Sequence, residues 1–170
     1  LEDFLPVCRE APTEAGRAGC AALAAWDRRN NLDSRGEHVF REWWRAAGEI
    51  KGVWRRPFDA AQPATTPADL ATDDPRVRAE LLQALEKAVA TVRATGFALD
   101  APLGEVQSYT THHGKVGVHG GPQFEGVLNK VETFGTNTLE ADGYEINFGS
   151  SYIQTVTFDD HGPVAEAVLV

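Results

Sequence analysis

Apolar residues recur at helical spacing in three stretches of the first half of the chain, and gather into strand-like runs only towards its end. The first helix is expected from Thr13, its N-cap, to about Arg28, lined by Ala18, Ala21, Ala22, Leu23, Ala25 and Trp26 and broken at Asn30-Asn31. Its small side chains suit close packing on a neighbour. The second carries Val39, Phe40, Trp43, Trp44 and Ala47, ends at Gly48, and opens with Ser34 and Glu37 at the spacing of a capping box. Adjacent tryptophans on a helix point in different directions, so one is expected to face the core and the other to cover a neighbouring segment. The third and longest helix has Asp74 as cap, Pro75 at its first position and Gly96 at its end. Its buried face is expected to be Val77, Leu81, Leu82, Leu85, Ala88, Val89 and Val92.

Between the second and third helices, residues 52–72 hold Pro57, Pro63 and Pro67, which predicts an extended surface segment anchored by Trp54 and Phe58. After Gly96 the runs become short and glycine-punctuated. Residues 109–111 and 127–131 read as short strands, His112-His113-Gly114 as a turn, residues 116–122 as tight irregular backbone, and residues 134–143 as a polar loop. The final runs hold Tyr152, Ile153, Thr155, Val156, Thr157 and Phe158, then Val164, Ala165, Ala167, Val168, Leu169 and Val170. With Asp159-Asp160-His161-Gly162 between them they predict a hairpin. Neither run alternates cleanly, so both faces are expected to be covered and the rest of the chain to be organised around this pair. A helical part, residues 13–96, followed by a strand- and loop-rich part, residues 97–170, gives the class α+β with antiparallel strands.

Composition narrows the function classes. Lys and Arg number 16 against 25 Asp and Glu, a net charge of −9, which argues against a nucleic-acid partner. No apolar run approaches the ~18 residues of a membrane span, and no signal peptide opens the chain. Methionine is absent and the chain ends inside an apolar run, so it is expected to be a piece of a larger protein rather than a complete independent domain.

The candidate chemistry is sparse. His112, His113 and His119 lie in a glycine-rich stretch, but no Cys or clustered carboxylate completes a metal set, so no metal or cofactor is expected. Residues 117–122 expose glycine N–H groups without the Lys and Ser/Thr of a phosphate loop, and read as a structural turn. Ser150-Ser151 lacks a nucleophile elbow, and Asp159 and Asp160 suit capping a turn. Trp43, Trp44 and Trp54 are the basis of an alternative reading, a stand-alone module with these rings as a carbohydrate- or protein-binding surface. Cys8 and Cys20 are free thiols in a cytosolic protein, or a bridge in an exported one.

Three segments, residues 22–44 (ALAAWDRRNNLDSRGEHVFREWW), 118–129 (VHGGPQFEGVLN) and 149–158 (GSSYIQTVTF), together resemble the C-terminal part of the β chain of the penicillin acylase family. The nearest branch is that of the aculeacin-type and acyl-homoserine-lactone acylases. The resemblance runs in order along nearly the whole chain, and W-D-R-x-N-x-x-D-S-R-G is its most specific stretch. It implies an N-terminal nucleophile hydrolase with an αββα sandwich, made as an exported precursor and therefore secreted or periplasmic. Such an enzyme removes an acyl chain from an amide-linked substrate, a β-lactam antibiotic, a lipopeptide or an acyl homoserine lactone. It implies a serine at the β-chain N-terminus as nucleophile, that residue's α-amino group as base, and oxyanion donors from a backbone N–H and an asparagine. Leu1 is not that serine, and Asn129, Asn137 and Asn147 lie outside the family's oxyanion motif, so no catalytic residue carries over. Family members continue past a strand like residues 165–170 into a further motif, which again implies a fragment. The implied partners are the remaining α- and β-chain segments and a small acylated substrate, and the implied export favours a Cys8–Cys20 disulfide.

Overall fold

A computed structural model describes residues 1–133, 138–150 and 152–169. Phe134, Asn137, Ser151 and Val170 lie outside the described residues, as do the side chains of Tyr152, Ile153, Ala167, Val168 and Leu169. Three helices, α1 (Glu14–Ala25), α2 (Glu37–Ala47) and α3 (Pro75–Thr95), turn their apolar stripes on one another and make the core. Thr13 Oγ1 accepts from Gly16 N at 3.0 Å to start α1. Asp74 accepts from Arg76 N and Val77 N to start α3, which Gly96 ends in the left-handed region. The expected face of α3 is buried, with Val77, Leu81, Leu85, Val89 and Val92 at 0% exposure. On α1, Gly19 meets α3 so closely that a Cβ would fall 2.7 Å from Val89 Cγ2. Ala21 and Ala25, expected on the packed face, are instead exposed.

The start of α2 differs from the capping box. Its N-cap is Gly36, at φ 88°, with no side-chain cap. Ser34 Oγ donates to Asp27 Oδ2 at 3.2 Å, and Glu37 is drawn away from the backbone by Arg41, four residues on. Trp43 faces the core, stacked on Phe4 at 4.4 Å and donating from Nε1 to Leu81 O at 3.2 Å. Trp44 packs edge-on against Trp54 at 5.5 Å and so covers the next segment. That segment is a short ladder, β1 (Trp54–Arg56) antiparallel to β2 (Ala68–Leu70). It is anchored by Val53 and Leu70, at 2% and 3% exposure, rather than by Phe58, at 64%. The first residues cover the other side of the helices, and Cys8 Sγ lies 2.13 Å from Cys20 Sγ on α1, with their Cα atoms 5.6 Å apart.

A single helical turn, α4 (Leu103–Val106), leads into β3 (Gln107–Thr111). Antiparallel β4 (Gly114–Gly117) and parallel β6 (Tyr144–Glu145) flank β3 in a three-stranded sheet. β5 (Val131–Glu132) pairs with β7 (Phe148–Gly149). The strand expected over residues 127–131 forms only at its end, because residues 123–125 make a 3-10 turn and Leu128 is 84% exposed. The final hairpin, β8 (Tyr152–Asp159) and β9 (Gly162–Leu169), closes through Asp160-His161. Its register puts Val156, Phe158, Pro163 and Ala165 on one face and Thr155, Thr157, Val164 and Glu166 on the other. The pair is therefore sided, contrary to expectation, and among the described side chains, residues 154–166, neither face is covered: Phe158 is 79% exposed. The helices have spent their apolar stripes on each other. The chain is organised around α2 and α3, not around the hairpin.

These placements set opposite expectations for two aromatic residues. Trp43→Ala leaves a large cavity and removes the indole hydrogen bond to Leu81 O, for a loss of about 3–5 kcal/mol in denaturant unfolding. Phe58→Ala, at an exposed site, is expected to change it by no more than about 0.5 kcal/mol.

Candidate functional site

The connection from α1 to α2 is a set of local locks. Trp26 Nε1 donates to Arg29 O at 2.9 Å, and Arg28, at φ 59°, donates from Nη1 to Trp26 O at 2.8 Å. Asp27 accepts from Arg29 N at 3.0 Å as well as from Ser34. The backbone here also holds its neighbours, since Leu103 N donates to Ser34 O and Gly120 N to Asn30 O, both at 2.8 Å. The result is one fixed side chain, Asn30. Its Nδ2 donates to Glu125 Oε2 at 2.7 Å and to Glu37 Oε1 at 3.3 Å.

Those two acids converge on Arg41 of α2. Arg41 Nε lies 2.7 Å from Glu125 Oε1 and 3.0 Å from Glu37 Oε1, and Nη1 donates to Gln107 Oε1 at 2.8 Å. Nη2 is 2.8 Å from Glu37 Oε1, an ion-pair contact without hydrogen-bond alignment. The guanidinium lies over the Tyr144 ring at 4.4 Å, and the Tyr144 hydroxyl donates to Glu42. Gln107 Nε2 in turn donates to Val118 O at 2.7 Å and Gly120 O at 3.0 Å. Gly121 lets the loop come this close, because a Cβ there would run into Glu125 and Asn30. Side-chain exposure is 0% for Glu37 and 2% for both Arg41 and Glu125.

Burial dominates the electrostatics. It pushes the Glu37 carboxyl well up, with Glu125 adding to the shift and Arg41 opposing it. Burial opposes the charge on Arg41, but the two acids outweigh it and hold the guanidinium firmly protonated. Burial likewise pushes the Tyr144 hydroxyl up. Next door, burial lowers His38 to about 4, so its neutral ring donates from Nε2 to Ala98 O at 2.9 Å. Above the ion cluster lies a cleft of about 570 Å³, walled by Trp26, Phe40, His119, Leu128 and Asn129, with Glu125 at its floor. With their donors supplied from inside and no solvent access, the cluster's acids are placed to fix the loop rather than to attack a substrate.

The other candidates are scattered. His112 and His113 are exposed at the β3–β4 turn, with ring centroids 3.9 Å apart, and His119 is exposed at the cleft rim. Among the described residues no group of three or more His, Cys, Asp or Glu is placed to hold a metal. The loop of residues 117–122 spends its N–H groups inside the protein, Gly120 on Asn30 O and Gly121 on Asn129 O, and offers no anion nest. Ser150 N donates to Lys130 O at 2.8 Å, and Asp159 Oδ1 accepts from His161 N at 2.8 Å, capping its turn. Asn129 Nδ2 donates to His119 O, and Asn147 N to Glu132 O. Trp43, at 0% exposure, cannot belong to a contact surface, because the core has claimed both its ring and its N–H. Nothing in the sequence marks Arg41, Gln107, Glu125 and Tyr144 as a set, and Glu37 reads there as part of a capping box. The signal for Glu37 and Arg41 was available: an acid and a base four residues apart beside the apolar stripe of an amphipathic helix.

Comparison with known proteins bears on the whole chain. The penicillin amidase family matches residues 1–170. Acyl-homoserine lactone acylase PvdQ of Pseudomonas syringae pv. tomato is 35% identical over 174 residues, covering 99% of this chain and 22% of that protein. The protein of the same name from Pseudomonas savastanoi pv. phaseolicola is 36% identical, with 99% and 22% covered. Aculeacin-A acylase of Actinoplanes utahensis is 30% identical over 179 residues, covering 99% and 21%. The chain thus spans about 22% of the length of these relatives. Since the match takes in every helix of the core, both sides of the Arg41 cluster and the final hairpin, the chain belongs to the penicillin amidase family.

Proposed function

We propose that this chain is a scaffold segment in the β chain of an acylase that hydrolyses an amide-linked acyl chain. The observation that carries this reading is the match of 99% of the chain to acylases of two different names. The nucleophile is a serine at the β-chain N-terminus, contributed by sequence outside these residues. Its Oγ attacks the acyl carbonyl, and its own α-amino group takes the hydroxyl proton and passes it to the leaving amine. Water then releases the acid from the acyl-enzyme. The substrate class is an acyl homoserine lactone, a lipopeptide or a β-lactam antibiotic, and the chemistry calls for no cofactor, nucleic acid or membrane. No described helix is long and apolar enough to cross a membrane.

In this reading β8 and β9 are strands of a shared sheet in an αββα sandwich, and the remaining α- and β-chain segments cover the face of Val156, Phe158, Pro163 and Ala165. The enzyme is a zymogen-derived, secreted or periplasmic protein, and in that compartment Cys8 and Cys20 form a disulfide. Their separation of 12 residues corresponds to about 3 kcal/mol of loop-closure stabilisation.

The full-length protein is expected to release fatty acid and free amine in equal amounts from an acyl homoserine lactone or an acylated lipopeptide, followed by mass spectrometry. Substituting the N-terminal serine by alanine should abolish this. No acid from any acyl amide, with that serine intact, would overturn the reading. Intact-mass measurement after alkylation without reductant is expected to find neither thiol modified; modification of both refutes the bridge. Expressed alone, residues 1–170 are expected to self-associate through the uncovered hairpin and to hydrolyse nothing. A compact monomer with a cooperative melt would show an independent domain instead.

A further inference from the structure

Glu37 and Glu125 set two carboxyls on the single guanidinium of Arg41, in a site with at most 2% side-chain exposure. If both acids are ionised, one negative charge stays buried without a counter-ion, at a penalty of several kcal/mol. The ordinary relief for such a site is to keep one acid neutral.

The donors decide which acid that is. Glu125 has a donor on each oxygen, Arg41 Nε on Oε1 at 2.7 Å and Asn30 Nδ2 on Oε2 at 2.7 Å. Glu37 gathers all of its donors on Oε1, Arg41 Nε at 3.0 Å, Arg41 Nη2 at 2.8 Å and Asn30 Nδ2 at 3.3 Å. Its Oε2 is buried and receives none. A carboxylate leaves a lone charged oxygen stranded there, whereas a carboxylic acid carries its proton on it and leaves no charge on that oxygen. We propose that Glu37 is held as the neutral acid beside the Arg41–Glu125 ion pair, and that this one proton is a pH-sensitive clip closing residues 119–131 onto α2. Loss of the proton puts a second negative charge beside Glu125 and works the loop, with the cleft it lines, away from the helix.

Each described element packed on the cluster brings its own charged and titratable groups. From α2 the cluster faces Arg41, which stays charged, and Glu42, which is engaged by the Tyr144 hydroxyl. From β6 it faces Tyr144, whose hydroxyl burial keeps protonated. Arg45 lies over the Phe124 ring at 5.8 Å, and His38, lowered by burial to about 4, is neutral and turned to Ala98, with Asp100 nearby. His119 is exposed at the cleft rim. Because the folded Glu37 binds its proton more tightly than an unfolded glutamate, the clip is fully closed below the ordinary carboxylate range. It weakens as pH climbs towards the raised value, by up to about tenfold per pH unit.

The experiment uses the full-length protein and does not depend on acylase activity. Infrared difference spectra at neutral pH are expected to contain the C=O stretch of a buried carboxylic acid that Glu37→Gln removes. Hydrogen exchange of residues 119–131, corrected for intrinsic rates, should rise with pH in the natural protein and stay flat in Glu37→Gln, whose amide mimics the neutral acid. Absence of that band from the natural protein, or its survival in Glu37→Gln, overturns the proposal. If Glu37→Gln does not fold, Glu125→Gln leaves Glu37 as the sole acid beside Arg41, where it ionises. The band should then vanish, and its persistence overturns the assignment.

Discussion

A buried guanidinium must be held by opposite charge and hydrogen-bond acceptors or be pushed out to water, and Arg41 is the point at which this fold meets that demand. Its partners come from the α1–α2 connection through Asn30, from α2 itself through Glu37, from the 3-10 turn through Glu125, and from β3 and β6 through Gln107 and Tyr144. None of those elements can shift by one residue without losing a buried polar contact, and breaking the ion pair from one side typically costs about 3–5 kcal/mol. The cluster thus gives position more than net stability. With the backbone bonds of Leu103 to Ser34 and of Gly120 to Asn30, it joins the helical half to the strand-rich half.

The bulk of the stability comes from a different source. The stripes of α1, α2 and α3, with Phe4 and Trp43 between them, form a dry helical core, and the close approach at Gly19 brings α1 down on Leu85 and Val89. What this core leaves over is informative. The hairpin of β8 and β9 stands apart from that core, with the described side chains of Val156, Phe158, Pro163 and Ala165 exposed.

Much of this was legible in the residues. Asp74-Pro75 and Gly96 bound α3, because a cap, a missing N–H and a left-handed terminator each act within a turn of the chain. Thr13, the turn of the final hairpin within Asp159–Gly162, and the contrast between Trp43 and Trp44 follow from equally local rules. The family followed from whole segments, such as residues 26–36, whose side chains make sense only as a set. Tertiary structure decided the rest. Ser34 and Glu37 have capping-box spacing, but Glu37 gains more from a guanidinium in a dry site than from a backbone N–H at a helix end. Glu125 meets Arg41 across 84 residues, and Gln107 across 66, and no local pattern encodes a partner that distant. Phe58 and the hairpin looked buried because apolar residues signal a preference for burial, while whether anything arrives to cover them is settled by where the other elements go. Periodicity and caps act over a few residues and can be read in one dimension; a buried charge is solved only by what the fold brings to it.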